Sequence, residues 1–188
     1  MLKVGVLGST RGTALQGVID AISANTLDAK IELIISNKSD AGILERAKTH
    51  EIKSIFVSSK GLSREQYDDA LSNLFKEHQV DLVLLVGYMR ILSNNFIHNW
   101  RGKILNVHPS LLPAFAGLMD LDVHQAVLES GTTETGCTIH QVSEIVDGGE
   151  IVLQKRCAVE AGDTTDSLKQ KVQLLEKTAF VEALRQLM

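Results

Sequence analysis

The chain has 188 residues, 44% of them hydrophobic and 22% charged, with a formal net charge of −4. That is enough chain for one domain with a sizeable core, in the composition of an ordinary globular protein. The negative balance excludes non-specific nucleic-acid binding as the main task, though not an anionic small molecule held by a local patch.

In chain order, Val4–Leu7 is an apolar run ending at Gly8, and a helical pattern follows with Leu15, Val18, Ile19 and Ile22 on one face. Ile31–Ile35 reads as a second strand, and Asp40 can cap a helix that turns Ile43, Leu44 and Ala47 inward. Ser54–Val57 is a third strand. Ser63 with Gln66 forms a capping box for a helix carrying Tyr67, Leu71, Leu74 and Phe75 on one side. Leu82–Val86 is apolar throughout, as expected of a strand buried on both faces of a parallel sheet. Lys103–Val107 is the next strand. Cys137–Val142 and Ile151–Val159 alternate, which suits antiparallel strands, and a last helix spans about Thr164 to Leu187.

The expected class is α/β: a single doubly wound, Rossmann-like, mostly parallel sheet with antiparallel strands in the C-terminal part. No repeat or linker divides residues 1–188. No apolar run approaches the roughly 18 residues of a membrane span, and Met1–Gly5 leads directly into a strand pattern rather than a signal peptide. Cys137 and Cys157 have neither metal nor redox spacing, so a reducing, cytoplasmic setting is expected.

Four segments carry candidate chemistry. Gly8-Ser9-Thr10-Arg11-Gly12-Thr13, between the first strand and its helix, can cradle a phosphate with backbone N–H groups. It is neither G-x-G-x-x-G nor a P-loop, and no carboxylate follows the second strand to hold an NAD ribose. Arg64 stands in the first turn after the cap Ser63, where the helix dipole disfavours a cation unless an anion binds there too. Asn106-Val107-His108-Pro109-Ser110-Leu111-Leu112-Pro113 contains both prolines of the chain, so the backbone after a buried strand is stiff. Alternation sets Asn106 and His108 on one side, an amide donor beside a titratable imidazole. Asp147-Gly148-Gly149 follows the strand that holds His140, and its glycines allow close backbone approach. His50, His78 and His98 read as solvated, and His124 as intermediate.

These residues resemble the folate-dependent formyltransferases. Asn106, His108 and Asp147 look like that family's catalytic trio, set in N-V-H-P-S-L-L-P and V-D-G-G. The Gly8–Thr13 turn with Leu15-Gln16, Ser36-Asn37-Lys38, Ser63-Arg64-Glu65, Gly87–Leu92, and Val172-Gln173 with Glu176 are similar to the branch acting on glycinamide ribonucleotide. The resemblance covers essentially the whole chain. It implies formyl transfer from 10-formyltetrahydrofolate as co-substrate, with no metal, by direct amine attack. Asn106 and a protonated His108 would hold the oxyanion, and Asp147 would aid proton transfer.

By the same resemblance the ribonucleotide contacts are Arg11, Gly12, Thr13, Arg64, Gln173 and Glu176. The folate contacts are Met89, Arg90, Ile91, Leu92 and Val107, with His140 and Val142. About 1–100 would bind the phosphate, and about 101–188 would carry the catalytic and folate-binding residues. Small-molecule partners, no nucleic acid or membrane, and a monomer or homodimer are expected. Ala14 departs from the family, which commonly has an Asn there, and the 114–123 loop is longer before His124. Methionyl-tRNA formyltransferase shares the trio but carries a larger basic domain. Formyltetrahydrofolate hydrolase shares it too, with an extra regulatory domain. A non-catalytic nucleotide-binding module would leave Asn106, His108 and Arg64 unexplained.

Overall fold

Hydrophobic runs of four to eight residues, each followed by a polar turn and an amphipathic stretch, fold into one sheet clad by helices on both faces. The structure, a computed structural model, describes residues 1–188. The first half supplies β1 (Leu2–Leu7), α1 (Leu15–Ser23), β2 (Ala29–Ser36), α2 (Gly42–Thr49), β3 (Ser54–Phe56), α3 (Arg64–Glu77), β4 (Leu82–Leu85) and α4 (Asn94–Asn99). The second supplies β5 (Ile104–His108), α5 (Leu121–Glu129), β6 (Glu134–Gln141), β7 (Ile151–Ala158) and α6 (Thr165–Gln186). No helix is long and apolar enough to cross a membrane.

The seven strands lie in the order β3-β2-β1-β4-β5-β6-β7. Pairs among β1 to β5 are parallel, while β6 runs antiparallel to both β5 and β7. The expected mixed, doubly wound sheet is therefore present. The chain winds from β1 outward to β3, then returns to lay β4 on the other side of β1. Such a reversal leaves a crevice at the carboxyl ends of the two strands that flank it.

Successive residues of each strand face opposite cores. Val4, Val6, Leu82 and Leu84 join Leu15, Val18, Ile43 and Phe180 beneath α1, α2 and α6. Leu7, Leu33, Val83 and Leu85 join Tyr67, Leu71, Phe75 and Trp100 beneath α3 and α4. Burial on both faces is why these strands read as unbroken apolar runs. The capping box of Ser63 and Gln66 is formed. Asp40, in contrast, caps nothing: it is exposed, and Ala41 takes the N-cap position of α2 without a side-chain bond. Two short helices, α4 and α5, stand where the sequence pattern predicts no element.

Candidate active site

The crevice at the strand ends is a cleft of about 620 Å3, within the size range of small-molecule sites. One lip is the turn after β1, the other the turn after β4. Ser9 ties them together: its N–H donates to Gly87 O (3.0 Å) and its Oγ accepts from Met89 N–H (2.9 Å). The Ser9 hydroxyl donates in turn to Asn37 Oδ1 (2.6 Å), which gives the Ser36-Asn37-Lys38 segment a bracing role. Gly12 needs its missing side chain, because φ is +63° and a Cβ would strike Ile43. Ala14 at the N-cap of α1 offers no side-chain acceptor; Leu15 N–H and Gln16 N–H bond back to the Gly12 and Thr13 carbonyls (3.1 and 3.3 Å), and it is the turn Thr10–Ala14 that lines the cleft.

The floor is the end of β5. Asn106 and His108 both line the cleft, as alternation requires, and Asn106 sits opposite His140 in the β5–β6 register. His140 Nδ1–H donates to the Gln141 carbonyl (2.9 Å). A carbonyl only accepts, so in the neutral ring Nε2 is left to accept from Asn106 Nδ2–H, at 3.0 Å. That bond holds the amide with its second N–H free. Asp147 closes the cluster, with Oδ2 3.3 Å from His108 Nδ1 and Oδ1 3.6 Å from His140 Nε2.

Asp147 itself adopts φ +53°, a left-handed conformation that Asp tolerates better than most residues. Gly149 serves a different need, since a Cβ there would run into the Gln141 carbonyl oxygen. The Asp-Gly-Gly turn thus combines one bent carboxylate with one close backbone approach.

Two backbone groups of the 114–121 loop complete the geometry. His108 Nε2–H donates to Phe115 O (3.2 Å), and Gly117 N–H donates to Asp147 Oδ2 (2.8 Å). Burial raises the Asp147 carboxyl, but the neighbouring His140 and His108 rings and the Gly117 N–H outweigh it and hold it below its ordinary value. His108 goes the opposite way to the expectation of a standing cation. It is only 4% exposed, and burial depresses its pKa by more than Asp147 and Phe115 O restore. Against that, both ring nitrogens face acceptors, Asp147 Oδ2 and Phe115 O, so the protonated ring is the form this geometry receives.

Of the expected ribonucleotide contacts, Arg11, Gly12, Thr13, Gln173 and Glu176 line this cleft. Burial pushes the Glu176 carboxyl up to about 8. Arg64 does not line it. Its helix α3 covers the sheet face opposite α1, and its Nε lies 3.7 Å from Glu65 on the surface. We therefore expect Arg64→Ala to leave the KM for a phosphorylated substrate within roughly twofold, as for other exposed changes away from a site; titrating that substrate in steady-state assays checks this, and a tenfold rise would return Arg64 to the site.

Of the expected folate contacts, Met89 and Val107 line the cleft. Arg90 stacks over Tyr67 (4.8 Å) and donates to Ser59, Ile91 is exposed, and Leu92 is buried in the second core. His140 lies behind Asn106, and Val142 packs against that same core. His124, read as intermediate, is 1% exposed, lines the cleft and has burial pushing its pKa down to about 4. Lys169 also lines the cleft and is absent from the sequence-based set, although it stands four residues before Gln173 and seven before Glu176, which is helical spacing.

Against known proteins, the formyl transferase family model matches residues 2–184. The chain belongs to the formyl transferase family. Within it, the chain is 42% identical to a phosphoribosylglycinamide formyltransferase of Haemophilus influenzae, over 90% of this chain and 79% of that one. It is 41% identical to the human trifunctional purine biosynthetic protein adenosine-3 over 97% of its own length, which spans 18% of the human protein. The fold superposes on glycinamide ribonucleotide transformylase 1 of Symbiobacterium toebii with a TM-score of 0.94 at 36% identity, covering 98% of this chain and 86% of that one. Family membership thus extends across both halves of the sheet and every strand end that borders the cleft.

Proposed function

We propose that the chain is a phosphoribosylglycinamide formyltransferase, moving a formyl group from 10-formyltetrahydrofolate to the amine of glycinamide ribonucleotide in the cytoplasm. The observation that carries this reading is the joining, in one cleft, of the Asn106–His108–Asp147 cluster with the glycine turn Thr10–Ala14 that leads into α1. The first suits acyl transfer and the second a phosphate. The two free cysteines fit a reducing compartment.

In this reading the N–H groups of Gly12 and Thr13 receive the phosphate, assisted by Arg11, while Gln173 and Glu176 face the sugar and amine. The folate lies against Met89 and Val107. The amine nitrogen attacks the formyl carbon, and the free N–H of Asn106 meets the oxygen as it becomes an oxyanion. Asp147 and Phe115 O are placed to hold His108 as a cation whose charge favours the oxyanion, and Asp147 accepts the proton released by the attacking nitrogen. As the carbon–N10 bond breaks, N10 takes the proton. Every step uses groups already aligned by the fold, which lowers the reorganisation needed at the transition state.

The test is the absorbance change on release of tetrahydrofolate, followed with and without glycinamide ribonucleotide. Release that depends on the ribonucleotide is the expected outcome. Equal release without it identifies a hydrolase, and no release in either case removes the reading.

A further inference from the structure

The face of α6 turned to the cleft bears Asp166, Lys169, Gln173 and Glu176. Apart from Arg11, Lys169 is the only Lys or Arg lining the cleft. Its Nζ lies 2.6 Å from Asp120 Oδ1, the two side chains being 29% and 50% exposed. Asp120 holds this position against two local preferences. Its φ is +49°, a conformation that an L residue adopts at a cost. It also occupies the N-cap of α5, where an Asp side chain ordinarily accepts an N–H, yet it makes no cap bond. The carboxylate reaches across to Lys169 while a second use, capping α5, stands open to it.

A phosphate entering this cleft meets Asp120 and Asp166 as well as the turn of Gly12 and Thr13. Ala14 adds no polar side chain at the start of α1. Against those two carboxylates a second cation beside Arg11 favours the outer phosphate oxygens, and α6 supplies one. We propose that Lys169 is the cation that receives the phosphate of the ribonucleotide, and that Asp120 holds it until the phosphate arrives and then falls back to cap α5. This rests on the ribonucleotide reading above, and it assigns a ligand contact to two residues outside the catalytic cluster.

The two partners should respond with opposite signs. Lys169→Met is expected to raise KM for glycinamide ribonucleotide about ten- to a hundredfold, the scale of a charge-assisted bond. The dephosphorylated riboside and the folate should keep their KM, and Lys169→Arg should retain most of the affinity. Asp120→Asn, which can still cap α5, should lower KM for the ribonucleotide by about two- to fivefold, because an exposed ion pair no longer competes. If the pair merely braces the loop, both variants will shift KM in the same direction for ribonucleotide and riboside alike, which overturns the proposal. Calorimetry with ribose 5-phosphate tests Lys169 without turnover. Equal affinity in wild type and Lys169→Met sinks the proposal, whereas a wild type that binds but transfers no formyl group sinks only the functional reading.

Discussion

Asn106→Ala is expected to lower kcat by roughly 10²–10³-fold, the usual consequence of removing one donor to a developing oxyanion. KM for the ribonucleotide should stay near its wild-type value. The side chain has two N–H groups, and the bond to His140 Nε2 at 3.0 Å occupies one and orients the other. The lost interaction exists mainly in the transition state, so it appears in kcat rather than in binding. Steady-state kinetics on the folded variant decides this. Turnover close to wild type would remove Asn106 from the chemistry and leave it as a partner of His140.

Replacing Asp147 by Asn should be as severe, with turnover falling by about 10²–10⁴-fold, the range associated with a positioned acid–base group. Ligand affinities measured by calorimetry should persist, because the amide oxygen introduced at this position can still accept from Gly117 N–H, as the Asp147 carboxylate does. The sign of the accompanying pH effect follows from the burial of His108. Burial depresses its pKa and the Asp147 carboxylate partly restores it, so loss of the carboxylate must depress it further. Nuclear magnetic resonance titration of the ring should show His108 keeping its neutral form to lower pH in Asp147→Asn than in wild type. An unchanged or raised His108 pKa, or loss of both ligands along with activity, would make Asp147 a structural residue.

The parts of the fold legible in the sequence are those where burial dictates residue type. Leu82–Leu85 is apolar at every position because each residue faces one of two cores, and Ser63 with Gln66 announces α3 through paired caps. Short helices with few inward residues give no such signal. α5 buries only Val123, His124 and Val127, too little to separate it from a loop. α4 is announced by Ser93 accepting from Phe96 N–H, a cap that is legible only once a helix is suspected.

At the site, residue type pointed to Asn106, His108 and Asp147, and the structure brings them together. The Phe115 carbonyl and Gly117 N–H had no letter to betray them, because any residue supplies those atoms. Arg64 shows the limit of local electrostatics. The cation at the head of α3 sits awkwardly with the dipole, but only the sheet topology tells which face that helix covers. The charge state of His108 depends on its depth, which spacing does not encode.

The strand order also has a consequence for how the molecule is made. β1 to β4 are contiguous in the sheet as β3-β2-β1-β4, and all are encoded before Asn106. A nascent chain can therefore assemble a four-stranded parallel platform, with the Gly8–Thr13 turn at the carboxyl end of β1, before any of the candidate trio Asn106, His108 and Asp147 has left the ribosome. β5, β6 and β7 then add in succession to one side, bringing the trio with them. One face of the platform must wait longest. Val172, Ala179 and Phe180 of α6 pack with Leu15, Val18 and Ile19 of α1, so the last helix of this fold to emerge seals apolar surface laid down by the first.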